Sequence, residues 1–250
     1  MLIDNKNELI KGQETTIYQY LDNNIIKDGK LDFVTGYFTI SALSKLFDKI
    51  KSQTHYRIVL GDLFSVKPTR RNIVDIINQK HEVNDVFNLK DDCEKAVSFL
   101  KQDNVEIKTV DKNLCHAKTY IYHNPNISKH KDNFYIVGSS NFTDAGIGLK
   151  PSANIELNKL VNGTDAGFEK AGEWFELLWT SESTKDSISI DKNQTQTCKD
   201  FLISLISDFF EKYEPEILYY KTLYELFKED FDQFDIDISA KRDIAHLRDT

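Results

Sequence analysis

The sequence predicts a layered α/β fold with a mixed, partly parallel sheet, followed by a helical C-terminal extension. Three observations carry this. Through the first 180 residues, apolar runs of strand length alternate with stretches whose apolar residues recur at helical spacing, the pattern of βαβ units. The 250 residues, 40% hydrophobic and 12% aromatic, suffice for one large domain or one and a half ordinary ones. Beyond a polar stretch at 181–194, only helical spacing remains.

The elements follow in order. Residues 13–26 read as an opening helix with Ile17, Tyr20, Leu21 and Ile25 on one face. Residues 31–38 (LDFVTGYF) form a continuous apolar run of strand length, after which Ser41 is expected to cap a helix carrying Leu43, Leu46, Phe47 and Ile50. A second strand, 55–61, ends in glycine. Helices are expected over 69–79, with Ile73, Val74, Ile76 and Ile77, and over 91–103, with Cys93, Ala96, Val97 and Leu100. Four short strands come next, at 105–110, 116–122, 134–138 and 154–160. Between them, HNPNISKHKDN at 123–133 is rich in turn formers and reads as a surface hairpin loop. The stretch 165–179 makes a helix with Phe168, Ala171, Phe175 and Leu178 on one stripe, and the core domain is expected to end near residue 180. Residues 181–194 read as a polar linker. The extension, 195–250, carries two amphipathic helices parted by Pro215, one with Phe201, Leu202, Leu205, Phe209 and Tyr213, the other with Leu218, Tyr219, Leu223, Tyr224 and Phe227. Its last residues show no stop signal, so a further domain is expected after them.

Charge sharpens the picture. Forty acidic against 32 basic side chains give a net −8, which taken alone argues against a polyanion-binding protein. Residues 181–250 hold 16 acidic and 9 basic side chains, however, so residues 1–180 are close to neutral at net −1. No stretch reaches the roughly 18 apolar residues of a membrane-spanning helix, and the N-terminus lacks the features of a secretory signal. Three widely spaced cysteines, Cys93, Cys115 and Cys198, fit buried thiols in a reduced, cytoplasmic protein better than disulfides or a zinc site.

The chemistry concentrates in His116-Ala117-Lys118 at the start of one strand, Gly138-Ser139-Ser140-Asn141 at the end of another, and Glu156 in a third. Residues i and i+2 of a strand share a face, so an imidazole and an ammonium are expected side by side. The Gly-Ser-Ser-Asn turn offers hydroxyls, a carboxamide and backbone N–H groups suited to phosphate oxygens. Glu156 is placed to accept from the non-reacting ring nitrogen of His116. Together these are the parts of a phosphoryl-transfer site. Lys67, Arg70 and Arg71, and also Lys129, His130 and Lys131, are read either as contacts to a DNA backbone or as solvated charge. Trp174 and Trp179, at helical positions, are expected in core or interface.

The H-x-K, G-S-x-N and Glu set resembles the phospholipase D superfamily. The string GSSNFTDAGIG followed by NIEL, with FVTGYFTISAL at 33–43, is most similar to its nuclease branch: restriction endonucleases and the nuclease-like domains at the N-termini of superfamily-2 helicases. The resemblance covers residues 15–180. It implies a layered α/β/α domain whose His116 attacks phosphorus, with Lys118, Ser139 and Asn141 holding the non-bridging oxygens, Ser140 beside them on the substrate, and Glu156 orienting His116. It also implies a homodimer in which the second His116 protonates the leaving group, without metal or other cofactor. His123 stands where the family has an aspartate, a departure that weakens the match to lipid-cleaving members more than to nucleases. The expected function is a DNA endonuclease in restriction or defence. A catalytically quiet DNA-binding domain of a helicase is the alternative, and a phosphatidyl-transferring phospholipase comes third.

Overall fold

The computed structural model describes residues 1–3, 5, 15–50, 54–61, 83–111, 115–150, 154–190 and 194–211. A two-residue strand, β1 (Leu2–Ile3), precedes helix α1 (Ile17–Asn24). Thr16 starts α1 with a capping box: its hydroxyl accepts from Gln19 N, and the Gln19 side chain accepts from Thr16 N. Then come β2 (Lys30–Thr35), α2 (Ile40–Ile50), β3 (His55–Leu60), α3 (Val83–Leu100) and β4 (Val105–Val110), and these three strands pair in parallel. The strands β5 (Thr119–His123), β6 (Phe134–Gly138) and β7 (Asn158–Asn162) are antiparallel to their neighbours, and α4 (Ala166–Thr180) follows them. The described chain closes with β8 (Thr184–Lys185), β9 (Ser187–Ser189), β10 (Thr195–Thr197) and α5 (Cys198–Glu211).

Eight strands make one mixed sheet in the order β1-β7-β6-β5-β2-β3-β4-β8. Alternation along β2 sends Leu31 and Phe33 to one face and Asp32 and Val34 to the other, and all four are buried. On the first face lies the larger core, where Phe33, Tyr56, Tyr120 and Phe134 meet residues of α1, α2, α3 and α5. On the second, Val34, Val59, Val110 and Ile121 meet Phe168, Phe175 and Trp179 of α4. The architecture is therefore the layered α/β/α arrangement with a mixed sheet that the sequence predicts.

A charge cluster centred on buried Asp32 and Arg57 pins α4 to the sheet. Arg57 on β3 lies opposite Asp32 on β2 and bonds it through Nε and Nη2, both at 2.7 Å, while Nη1 reaches Glu176 of α4 at 3.0 Å. The guanidinium also sits over the rings of Phe175 and Trp179, 4.9 and 5.3 Å from their centroids. Its bond to Glu176 holds that carboxyl below the usual carboxylate range. Removing one partner of such a pair leaves an uncompensated buried charge, so Arg57→Met should lower stability by about 3 kcal/mol in urea unfolding. A loss under about 1 kcal/mol would show that Lys30, 3.2 Å from Asp32, suffices as its partner.

Several expectations need correction. Residues 181–194 do not form a free linker, because β8 pairs with β4, β9 pairs with β10, and Ile188 enters the core. The helix after them, α5, buries Cys198, Leu202 and Ile206 against the same core. Thr39, not Ser41, caps α2: its hydroxyl accepts from Ala42 N at 3.3 Å, and Ser41 bonds Asp144 instead. The helix expected at 91–103 spans 83–100. Trp179 is buried, whereas Trp174 is substantially exposed. Cys93 and Cys198 are buried, and burial pushes their thiols up to about 12. The helices expected at 69–79 and around Leu218–Phe227, the terminal segment, and the cations Lys67, Arg70 and Arg71 lie outside the described residues.

Candidate active site

The sheet topology gathers the motif residues at one edge. β2, β3 and β6 end there, and their antiparallel neighbours β5 and β7 begin there. His116 and Lys118 therefore enter β5, Ser139 to Asn141 leave β6, and Glu156 approaches β7 at the same edge where Gly36 leaves β2. The 115–118 segment is seated on Gly61, which follows β3: Cys115 N donates to Gly61 O at 3.2 Å, and a Cβ on Gly61 would fall 2.2 Å from Cys115 O. No larger residue fits there without displacing the histidine segment.

The ladder of β5 starts only at Thr119, so His116 and Lys118 lie just ahead of the strand, and both side chains come within 4.0 Å of the same point beside Gly36. His116 is exposed, and among the described residues its imidazole takes no hydrogen-bond partner. Lys118 is only 4% exposed and donates from Nζ to His116 O at 2.7 Å. Burial pushes its ammonium below the usual lysine range, and the nearby Glu156 carboxylate opposes that shift.

Asn141 is fixed by the turn after β2. Its Oδ1 accepts from Gly36 N at 3.1 Å and Tyr37 N at 3.2 Å, which identifies the oxygen and leaves Nδ2 without a protein partner among the described residues. The turn after Asn141 is anchored by buried Asp144, which accepts from Thr39 Oγ1 at 3.0 Å and from Ser41 Oγ at 2.5 Å. A methyl group placed on Gly36 would lie 3.2 Å from Asn141 Oδ1 and 4.0 Å from both His116 Cδ2 and Lys118 Nζ. The three side chains thus converge on one small space.

Glu156 bonds Ser139 rather than His116. The Ser139 hydroxyl donates to Glu156 Oε2 and accepts from Leu157 N at 3.0 Å, so its single proton is committed to the carboxylate and not to a ligand. Glu156 also precedes β7 instead of lying within it. Ser140, expected on the substrate, is fully buried: Asn158 Nδ2 donates to its hydroxyl at 2.9 Å and Tyr120 donates to its carbonyl at 3.0 Å. Its role is to join β6 to β7.

The hairpin loop holding Lys129, His130 and Lys131 connects the opposite ends of β5 and β6, away from this edge. His123 is at that far end as well, 3.7 Å from Asp32 and edge-on to Phe168. Burial, with Lys30 nearby, lowers its pKa. Among the described residues, no three His, Cys, Asp or Glu side chains come together as a metal site requires. Nor is any helix among them long and apolar enough to cross a membrane. What sequence reasoning missed is the part played by Thr35, Gly36 and Tyr37. The signal was a Thr-Gly-Tyr sequence at the end of a buried strand, where backbone amides become free to bind.

The chain matches the family described as "Cardiolipin synthase, PLD-like domain" over residues 25–179. Three solved structures are similar to it. Nuc, a phospholipase D family member from Salmonella typhimurium, is 15% identical with a TM-score of 0.43, over 69% of this chain and 89% of that one. Phosphatidylserine synthase from Haemophilus influenzae is 12% identical with a TM-score of 0.44, over 86% of this chain. Polyphosphate kinase from Porphyromonas gingivalis is 10% identical with a TM-score of 0.46, over 85% of this chain. The chain spans 28% of the kinase and 42% of the synthase. No curated protein matches it in sequence.

Proposed function

The chain belongs to the cardiolipin synthase, PLD-like domain family, and we propose that it is a metal-independent DNA phosphodiesterase working as a homodimer. The observation that carries this reading is the convergence of His116, Lys118 and Asn141 around the bare Cα of Gly36, with a single H-x-K in the sequence. An exposed imidazole with no hydrogen-bond partner among the described residues is available as a nucleophile. A buried ammonium and an anchored carboxamide beside it supply charge and hydrogen bonds where a phosphorane would develop negative charge.

In this mechanism His116 attacks phosphorus, forming a P–N bond as the P–O bond to one DNA strand breaks. His116 of the partner subunit gives its proton to the departing oxygen. Water then attacks the phosphohistidine, the same partner histidine takes its proton, and His116 is released. Lys118 and Asn141 hold the non-bridging oxygens through both steps. Glu156, tied to Ser139, keeps a carboxylate near Lys118 and so helps preserve its charge. Neutrality over residues 1–180 means that DNA affinity rests on a few placed cations and is weak and salt-sensitive. A restriction or defence setting, with or without a helicase, fits such a guarded nuclease.

One observation favours a second reading, phosphatidyl transfer. Tyr37, Ile155 and Leu157, neighbours in sequence of the site residues, are each more than half exposed. In the leading reading these side chains are covered by the second subunit. The test is to incubate the protein in EDTA with supercoiled plasmid and, separately, with phosphatidylglycerol vesicles. Nicking of the plasmid is expected. Turnover of lipid alone favours the second reading, cleavage only with magnesium overturns the metal-independent mechanism, and DNA binding without any turnover marks a docking domain.

The acid-base chemistry yields a further prediction. Lys118 must be charged to work and its pKa lies below the ordinary lysine value, so cleavage declines with rising pH earlier than an ordinary lysine would dictate. Since the Glu156 carboxylate raises that pKa, Glu156→Gln should move the alkaline limb of the pH–rate profile to still lower pH. A shift to higher pH would contradict this account of Lys118.

A further inference from the structure

The turn between β2 and α2 is built more tightly than a connection requires. Thr35 is fully buried, and its hydroxyl donates to Tyr37 O at 2.6 Å while accepting from Phe142 N at 2.9 Å. That one side chain closes the turn on itself and ties it to the residue after Asn141. Thr39 N then donates to Phe142 O at 3.2 Å, and Phe38 bridges to Phe142. The result is that the amides of Gly36 and Tyr37 point together at Asn141 Oδ1. Two N–H donors on one oxygen fix the carboxamide plane and its sense, so both hydrogens of Nδ2 are directed away from the turn.

Gly36 has a second property. Its backbone is not in the left-handed region, so no conformational need for glycine exists there. What a side chain would meet is the site itself: Asn141 at 3.2 Å, and His116 and Lys118 at 4.0 Å. A side-chain atom at that point would fill the space the three groups share.

We infer that the Thr35–Gly36–Tyr37 turn is the positioning element of the phosphoryl site, with Thr35 holding the turn, the two amides orienting Asn141, and bare Gly36 leaving room for a phosphate oxygen. This rests on the reading of the site as one that binds phosphoryl groups. Thr35 and the amides act through Asn141 and are positioning groups. Gly36 forms the floor against which the substrate lies.

The test uses inorganic phosphate as probe, titrated by calorimetry into the whole chain, with DNA cleavage measured in parallel. Gly36→Ala should weaken phosphate binding by about tenfold or more with an unchanged melting temperature. Thr35→Val should lower kcat by about a hundredfold with little change in KM, as a misoriented transition-state donor would, and Thr35→Ser should restore it. If the parent protein binds no phosphate, the reading of the site fails. Should the parent bind phosphate and Gly36→Ala bind it equally well, only the present inference fails. If Gly36→Ala does not fold, the Thr35 pair decides: equal losses in Thr35→Val and Thr35→Ser would overturn the positioning role.

Discussion

His116→Ala should abolish DNA cleavage, lowering the rate by about 10,000-fold or more, while the protein stays folded. The two halves of this expectation come from the same observation. An exposed imidazole with no hydrogen-bond partner among the described residues can be removed without opening a cavity or orphaning a buried group. The change in unfolding free energy should stay within about 0.5 kcal/mol. All of its chemistry, by contrast, is lost at once, because in the proposed composite site the same substitution removes both the nucleophile and the acid that protonates the leaving strand. Residual cutting near the parental rate would show that His116 is a bystander. A large loss of stability would show that it has packing partners.

Lys118→Met also separates activity from stability. The ammonium is only 4% exposed, and burial lowers its pKa, so its charge is held at a cost to the fold. An apolar chain of similar length removes that cost and forfeits one hydrogen bond to His116 O. Urea unfolding should therefore give stability equal to or above that of the parent. Cleavage should fall about 1,000-fold, the scale for losing a preorganised charge beside the reacting phosphate. A variant both inactive and markedly less stable would mean that Lys118 serves the fold.

Much of this was legible from the sequence, and the failures have physical causes. β4 and β6 were readable to the residue, β4 because buried Val105, Ile107 and Thr109 alternate with Glu106 and Lys108, and β6 because a short apolar run is closed by Gly138. The strand expected at 154–160 starts instead at Asn158, because Leu157 N is taken by the Ser139 hydroxyl. Two-residue strands such as β1 and β8 are too short for any periodicity to reveal them. The order His-x-Lys, Gly-Ser-Ser-Asn, Glu located the candidate site, but hydrogen-bond partners depend on which strand ends share an edge. That is a property of topology, and it explains why Glu156, expected on His116, is found on Ser139. The same gap hid the turn at Gly36, whose amides become partners of Asn141 only once β2 and β6 end side by side.

The central claim is that His116 carries the cleaved phosphoryl group. It is tested most directly by quenching the reaction with DNA in EDTA during turnover and mapping phosphoramidate adducts by mass spectrometry of peptides kept at alkaline pH. The account predicts DNA phosphate attached to the peptide containing His116, and no adduct in the His116→Ala protein. Cleavage without any histidine adduct in rapid-quench samples, or an adduct on a different histidine, would contradict it.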